Sequence, residues 1–254
     1  MQVFFVVLAR DPSGVAEKLK ELDSLGYSGL IICGEKVDHA NVLYRPAAGK
    51  SDAMNFGFGF VPSDVDVVIF NDVDTTIHNL GAALDLFGDK DVSLVFAKVS
   101  VEKGPQLTFY SFLDSLRRRI PIVASGELML IRYDRIKSIM PIKECKAEDS
   151  YILFKFLEKR WKVVFCERCY VTTWRTLHAK EEQIYKRRTV GGIYQALALT
   201  KPPAIIRLFF TILPFVSPLL MVSGKKGFYW FTGILLGYID HLRGDTAVSW
   251  QRTY

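Results

Sequence analysis

Two carboxylates one residue apart follow a strongly apolar stretch in the sequence IFNDVDTTI, at residues 69–77. Residues 67–70 read as a buried strand, and burying an ionised carboxylate without a partner costs far more than one strand end can return. Asp72 and Asp74 must therefore face water or hold a cation. Such a pair suits Mg²⁺ or Mn²⁺, which take oxygen ligands and share their coordination shell with substrate phosphates.

The position of this pair carries more information than its spacing. The same D-x-D spacing occurs at 64 and 66 and at 89 and 91, but those pairs precede apolar runs. Asp72 and Asp74 follow one, at the edge where open parallel sheets bind ligands. A solvated turn is the alternative. A metal at this edge would neutralise a departing nucleoside diphosphate, which predicts transfer from a nucleotide-activated donor.

A second acidic pair, Glu148 and Asp149, opens an amphipathic helical pattern in KAEDSYILFKFL. Acids in a first helical turn are common partners of the helix dipole, so alone they indicate structure. Beside a metal carboxylate, however, they offer a free carboxylate that could deprotonate an acceptor. The segment RPAAGKS is not a P-loop, because Tyr44 stands where that loop needs glycine.

Short apolar runs alternate with helical patterns through the first part of the chain. This rhythm predicts an α/β fold, with a mixed, mostly parallel sheet and helices on both faces. Asp11 is expected to cap the first helix, with Pro12 at its first position and Gly26 after its end. The predicted strands are VFFVVLA, GLIIC, NVLY, VDVVIF and VSLVFA.

The composition of the chain limits the class of protein and the kinds of partner that it can bind. With 254 residues, half of them hydrophobic, the chain can bury a large core, which excludes a disordered or fibrous protein. Residues 1–100 hold 8 Lys and Arg against 14 Asp and Glu, whereas residues 101–254 hold 25 against 13. Because the basic residues interleave with apolar runs, an anionic membrane surface or a phosphate-bearing substrate is favoured over nucleic acid. The nine Asn and Gln residues hint at a thermophile.

Four cysteines form no recognisable framework. Cys166 and Cys169 have metal-knuckle spacing in CERC, but no second CxxC or HxxxH supplies the remaining ligands of a structural zinc site. We therefore interpret them as two thiols beside a strand. A disulfide between them would be possible in the cytosol of a thermophile.

Two apolar runs, at 204–222 and 228–239, predict a helical hairpin in the membrane, with a buried core hairpin as the alternative. Lys225 and Lys226 at its tip disagree with the positive-inside rule if the catalytic part is cytosolic, and a re-entrant, non-spanning hairpin would remove that conflict. Residues 106–120 and 183–199 are typical of interface helices or of ordinary surface helices. No signal peptide precedes the first apolar run, so the catalytic part is expected on the cytosolic side of the cell membrane.

The order of these features resembles the family 2 inverting glycosyltransferases, in particular their membrane-attached, cellulose-synthase-like and dolichyl-phosphate-mannose-synthase-like members. The resemblance rests on Asp72-Val73-Asp74, Gly126 in SGELMLIR, Glu148-Asp149, a basic cluster and the apolar hairpin, and it covers essentially the whole chain. GKSDAMN resembles the GK-x-x-A-x-N segment of the family. YKRRTVGG resembles its QRxRWxxG block, with Thr189 in place of tryptophan, and SWQRT resembles its W-x-K-T tail.

This resemblance implies a GT-A fold, in which a Rossmann-like nucleotide half merges with an acceptor half. It implies Asp149 as the general base of an inverting displacement and Asp74 as the ligand of Mn²⁺ or Mg²⁺. Arg187 or Arg188 would clamp the diphosphate. The remaining implied donor-site residues are Ala9, Arg10 and Glu35 around the nucleobase, Lys50 and Asp72 at the nucleotide sugar, and Glu148 beside the base.

The resemblance also bounds the reaction. Thr189 at the tryptophan position and only two apolar segments argue against a polysaccharide synthase, so transfer of one hexose to a polyprenyl- or dolichyl-linked saccharide is expected. The donor is expected to be GDP-mannose, with UDP-glucose close behind. A polyprenyl-phosphate sugar synthase and an inactive membrane scaffold are the alternatives, whereas a nucleotidyltransferase accounts for neither the hairpin nor Glu148-Asp149.

The expected units are four: a catalytic domain at 1–180, an interface helix at 181–202, a membrane hairpin at 203–243 and a cytosolic tail at 244–254.

Overall fold

A single mixed sheet of eight strands forms the body of the computed structural model, which describes residues 1–46, 48–101, 114–173 and 179–244. The strand order is β3-β2-β1-β4-β7-β6-β8-β5. The strands are β1 (Val3–Ala9), β2 (Ser28–Cys33), β3 (Val42–Tyr44), β4 (Val67–Asp72), β5 (Thr75–His78), β6 (Val92–Val101), β7 (Leu128–Arg132) and β8 (Lys162–Thr173).

Helices cover both faces of this sheet. The α-helices are α1 (Val15–Leu25), α2 (Lys50–Phe58), α3 (Leu80–Leu84), α4 (Tyr133–Lys137), α5 (Glu148–Glu158), α6 (Ala179–Leu199), α7 (Ala204–Val216) and α8 (Lys225–Leu242). Two 3₁₀-helices follow α3 and α7, at Asp85–Gly88 and Ser217–Ser223. Residues 114–119 are also helical, whereas the rest of the predicted interface stretch, at 106–113, and the SWQRT tail lie outside the described residues.

The parallel half of the sheet gathers three strand ends at one edge. Strand β1 pairs in parallel with both β2 and β4, with Ala9 opposite Cys33 and Leu8 opposite Asp72. All three strands are apolar and buried on both faces, as expected where helices cover a parallel sheet. Their carboxyl ends therefore deliver the residues after 9, 33 and 72 to the same place.

The second half is largely antiparallel. Strand β7 lies between β4 and β6 and runs antiparallel to both, β6 pairs in parallel with β8, and β5 closes the far edge antiparallel to β8. Because β7 runs against β4, the loop before β7 reaches the edge where β4 ends, and the carbonyl of Glu127 accepts the N–H of Asp72 at 3.2 Å. The prediction of a mixed α/β sheet with helices on both faces is confirmed.

Each face of the sheet has its own apolar core. On one side, Phe70 and Phe96 pack with residues of α2, α5, α6 and α7, including Phe154 and Phe210. On the other side, Phe5 and neighbouring strand residues pack with α1 and α3. Both layers hold the β1-β2-β4 edge rigidly, which is what a site built on that edge requires.

The predicted start of the first helix is wrong. Helix α1 begins at Val15, after Gly14 in the left-handed conformation at φ 77°. The side chain of Asp11 instead accepts the N–H of Ser13 at 3.0 Å, and Val15 donates to the carbonyl of Pro12 at 3.1 Å. A local turn thus uses Asp11 before the helix can begin.

The predicted apolar runs form α7 with its 3₁₀ extension and α8, and they pack differently. Ile206, Phe210 and Pro214 lie along one stripe of α7 and are buried, and the first two belong to the apolar core that includes Phe70 and Phe154. Helix α8 packs along α6, where Gly233 and Gly237 allow close backbone contact. Within the described ranges, Ala204–Ser223 is the one helical segment long and apolar enough to cross a membrane by length and composition.

Candidate active site

A largely buried lysine joins the two acidic pairs that the sequence separates. The Nζ atom of Lys50, in the first turn of α2, lies 2.8 Å from Oδ1 of Asp72 and 3.1 Å from Oε1 of Glu148. It also donates to the carbonyl of Gly126 at 3.2 Å. One ammonium group therefore holds together α2, the end of β4, the loop before β7 and the start of α5.

Asp149 borders the same cluster. A Cβ atom placed on Gly126 would lie 3.2 Å from Cβ of Asp149 and 3.2 Å from Nζ of Lys50. A side chain at this position would push both groups back by a few tenths of an ångström, so the glycine allows the loop before β7 to approach them closely. Oδ1 of Asp149 also accepts the N–H of Ser150 at 2.6 Å, which fixes the direction of its carboxylate. The structure thus brings Lys50, Asp72, Glu148 and Asp149 together, and their roles in donor binding and catalysis stay predictions.

Burial and crowding of like charges set the ionisation of this cluster. Burial raises the pKa of Asp72 to about 7, against the opposing effect of Lys50. Burial, with the neighbouring Glu148 adding to it, raises the pKa of Asp149 to about 6. Burial would lower the pKa of Lys50, but the nearby carboxylates outweigh it and hold that pKa well above its ordinary value. Lys50 is therefore cationic at neutral pH.

Helix α6 packs against the segment that leads into Glu148 and Asp149. A Cβ atom on Gly192 would meet both Cβ and N of Ala147 at 2.8 Å, so α6 packs directly on the residue that precedes Glu148. The N–H of Lys146 donates to Oε1 of Gln195, also on α6, at 3.0 Å. The last glycine of the YKRRTVGG block is therefore required by the packing of the acidic pair.

The arginines of that block lie on α6 as well. Arg187 forms a bidentate ion pair with Asp240 of α8, with N···O distances of 2.6 and 2.7 Å. A diphosphate would have to compete with Asp240 for this guanidinium group. Arg188 follows on the same helix, and the clamp predicted for either arginine stays a prediction.

Ala9, Arg10 and Glu35 lie at the ends of β1 and β2, at the same sheet edge as Asp72. The carbonyl of Ala9 accepts the N–H of Gly34 at 3.0 Å, which fixes the two strand ends to each other. Arg10 is partly exposed and Glu35 is exposed. Both side chains can reach a ligand at this edge, and their contact with a nucleobase stays a prediction.

The residues at this edge fit a divalent cation that arrives with its substrate. Asp74 is exposed, two residues beyond Asp72, in the turn between β4 and β5. Within the described parts of the chain, no group of three or more His, Cys, Asp or Glu forms a complete metal cage. Mg²⁺ is usually held by one or two carboxylates together with substrate phosphates and water, so a partial ligand set is what such a site needs. Glu127 adds to the local excess of carboxylates.

A second buried lysine lies beneath this turn and was missed by the sequence analysis. Lys18 of α1 is 2% exposed, and its Nζ donates to Oδ1 of Asn71 at 2.8 Å and to Oε2 of Glu21 at 2.6 Å. A signal existed, because Lys18 falls on the helix face that also carries Val15 and Leu22. No local pattern, however, indicates its partners more than fifty residues away.

No protein-family model and no sequence among curated proteins matches this chain. Among solved structures, the mannosyltransferase PcManGT from Pyrobaculum calidifontis, in complex with GDP-Man and Mn²⁺, is similar with a TM-score of 0.71 and 13% identity, over 95% of this chain and 87% of that one. Glucosyl-3-phosphoglycerate synthase from M. tuberculosis is similar with a TM-score of 0.53 and 14% identity, over 80% of this chain and 82% of that one. TarS 1-349 from S. aureus is similar with a TM-score of 0.51 and 14% identity, over 96% of this chain and 92% of that one. At these identities the similarity concerns architecture, and the chain has the GT-A fold.

Proposed function

We propose that this protein is a metal-dependent glycosyltransferase that moves one hexose from a nucleotide sugar to an acceptor hydroxyl with inversion. The observation that carries the proposal is the cluster in which Lys50 joins Asp72 to Glu148, with Asp149 packed against Gly126. This cluster lies at the sheet edge where α/β folds bind ligands. It supplies both a donor-side acid and a separate acceptor-side acid.

On the donor side, Asp74 would hold Mn²⁺ or Mg²⁺, which when bound supplies positive charge to a leaving diphosphate. The carboxylate of Asp72 is held by Lys50, and its backbone N–H donates to the carbonyl of Glu127. The carboxylate can therefore accept hydrogen bonds from sugar hydroxyls in a defined direction. Ala9, Arg10 and Glu35 would surround the nucleobase at the neighbouring strand ends. Arg187 or Arg188 would bind the diphosphate by paired hydrogen bonds.

On the acceptor side, Asp149 would take the proton of the attacking hydroxyl. Its pKa of about 6 leaves it mostly ionised at neutral pH, while making it a stronger base than an exposed aspartate. The N–H of Ser150 holds the carboxylate in place at 2.6 Å. The proton moves to Asp149 as the hydroxyl oxygen bonds to the anomeric carbon and the nucleoside diphosphate leaves.

The preferred donor is GDP-mannose, because the similar PcManGT was solved with GDP-Man and Mn²⁺, and UDP-glucose is the alternative. The test incubates the purified chain with each labelled donor, Mn²⁺ and extracted lipid acceptors. Asp149→Asn should lower turnover by about 10²- to 10⁴-fold if a hydroxyl must be deprotonated. The matched control, Asp134→Asn, removes an exposed acid of α4 and should leave turnover unchanged.

Two other results would redirect the proposal. A small loss in Asp149→Asn would favour a polyprenyl-phosphate acceptor, which is already anionic. No metal-dependent binding of GDP or UDP by the wild-type chain would refute the enzyme and favour a membrane scaffold. Unlike a phosphate-acceptor enzyme, a membrane scaffold would leave the buried Lys50 cluster without an explanation.

We further propose that the segment 204–223 lies in the membrane interface on the cytosolic side. One stripe of α7 packs on the catalytic core, while Phe215, Leu219 and Val222 are 74%, 73% and 90% exposed on the outside. A helix that is apolar on both faces needs a second apolar environment. Because its inner stripe stays on the protein, the segment would lie in the plane of one leaflet. Arg207 within the segment, and Lys201 and Lys225 just before and after it, are exposed basic residues.

Co-sedimentation with vesicles of anionic lipid tests this surface. The double variant Phe215→Asp and Leu219→Asp should lose most binding without a change in thermal stability, because both side chains are exposed. Phe60→Asp alters an exposed aromatic residue outside the segment, 50% exposed, and should bind like the wild type. Binding by the double variant equal to that of the wild type would refute the surface. In this proposal residues 1–180 form the catalytic unit, and the acceptor is carried on a lipid in the same leaflet.

A further inference from the structure

Lys18 is buried beneath the turn that carries Asp72 and Asp74, and its contacts bracket that turn. Its ammonium group donates to Oδ1 of Asn71, before the turn, and to the carbonyl of Thr75, after it. Its third partner is Glu21, one helical turn later on α1. A lysine with 2% exposure and three oxygen partners is fixed in position rather than solvated.

The hydrogen bonds continue from these partners to the backbone of the turn. Asn71 donates through Nδ2 to Oγ1 of Thr75 at 2.8 Å and to the carbonyl of Glu127 at 2.7 Å. Thr75 donates through Oγ1 to the carbonyl of Asp72 at 2.8 Å. Glu21 accepts the N–H of Ile77 at 2.6 Å. Helix α1 thereby fixes residues 71–77 through a continuous, largely buried network.

We propose that Lys18 is a positioning residue for the metal-binding turn, which fixes the backbone of residues 71–75 so that Asp74 is held ready for a divalent cation and its diphosphate. This inference rests on the proposed function. Lys18 does not touch the solvent side of the turn, so it acts through Asn71 and Thr75. Groups of this kind, which orient a metal ligand without binding the metal, commonly change metal affinity by about 10- to 100-fold.

Lys18 has two opposing effects on the affinity of the turn for a metal ion. Lys18 is a cation near Asp72 and Asp74, so its charge alone repels an incoming metal ion. Its hydrogen bonds, in contrast, keep the turn in one conformation. If positioning dominates, removing Lys18 weakens metal binding, whereas a purely electrostatic role predicts tighter binding.

The test measures Mn²⁺ binding by electron paramagnetic resonance in the presence of GDP and, separately, of UDP. Lys18→Met keeps a long unbranched side chain but removes its donors. Thr75→Val removes the hydroxyl that accepts from Asn71 and donates to the carbonyl of Asp72. Lys20→Met, an exposed lysine of the same helix, is the matched control. Ile131→Ala opens a cavity where β7 pairs with Val68 near the opposite end of β4, and it controls for a general loss of stability.

Lys18→Met and Thr75→Val should each weaken Mn²⁺ binding by about tenfold or more, while both controls keep the wild-type affinity at a temperature where all variants are folded. Wild-type or tighter binding by folded Lys18→Met would overturn the inference. If that variant does not fold, Thr75→Val decides alone. A wild-type chain that binds no Mn²⁺ with either nucleotide would refute the proposed function, and this inference with it.

Discussion

Replacing Gly192 by alanine should displace α6 from the start of α5 and disturb Asp149 without touching it. The added Cβ would lie 2.8 Å from both Cβ and N of Ala147 and 2.9 Å from the carbonyl carbon of Lys146. Two of these three atoms belong to the backbone, so no side-chain rotation relieves the contact. Either α6 or the segment that leads into Glu148 must move.

The size of the effect follows from a neighbouring glycine. A Cβ on Gly191 would meet its nearest atom, the carbonyl oxygen of Gly237, at an ordinary 3.5 Å. Both alanine variants gain up to about 1 kcal/mol in helix propensity, and this gain cancels when they are compared. Overpacking costs about 1–3 kcal/mol. Gly192→Ala should therefore be less stable than Gly191→Ala by about 1–3 kcal/mol.

Chemical denaturation of the two variants measures this difference directly, and turnover with a labelled donor measures its consequence at the site. Since a misplacement of about 1 Å can cost on the order of 10²-fold in rate, Gly192→Ala should lose activity while Gly191→Ala keeps it. Equal stability and equal turnover in both variants would refute the close packing of α6 on the acidic pair.

Lys50→Met should lower the free energy of unfolding by about 3–5 kcal/mol, because it leaves Asp72 in a largely buried cluster without its cation; a loss below about 1 kcal/mol in urea denaturation would contradict this. Turnover should fall as the pH drops through about 6, where the base Asp149 becomes protonated, and a rate constant that stays flat down to pH 4 would oppose that role. The same raised pKa means that the folded chain binds a proton more tightly than the unfolded chain, so the metal-free protein should become more stable as pH falls through 6 towards 4, and less so in Asp149→Asn. Asp240→Asn should change stability by less than about 1 kcal/mol, because Arg187 is half exposed, and should tighten GDP binding in calorimetry if Arg187 turns to the diphosphate; weaker binding would assign Asp240 a supporting role instead.

Local patterns predicted the parts of the fold that local forces decide. Continuous apolar runs identified β1, β2 and β4, and the rule that ligands bind at carboxyl ends singled out Asp72 and Asp74 from three similar pairs. Glu148 and Asp149 were placed correctly in the first turn of α5 because the helical period after them is strong. These predictions needed only neighbours within one strand or one helical turn.

Other parts depend on contacts between distant segments, and the sequence could not specify them. Lys50 carries no local sign that it bridges Asp72 and Glu148, and the antiparallel insertion of β7 beside β4 is a choice of topology. Lys18 is one polar residue on an apolar helix face, and two of its partners, Asn71 and Thr75, lie more than fifty residues away along the chain. Helix α8 was expected to form a hairpin with the preceding apolar run, but no local pattern indicates that its glycines also fit it closely to α6.

Anomalous diffraction at the manganese edge, from crystals of the full chain grown with Mn²⁺ and GDP, tests the central claim most directly. The account predicts one strong peak within coordination distance of Asp74, in contact with the diphosphate, and Asp149 facing the same pocket. A nucleotide bound elsewhere, or a metal site without Asp74, would contradict it.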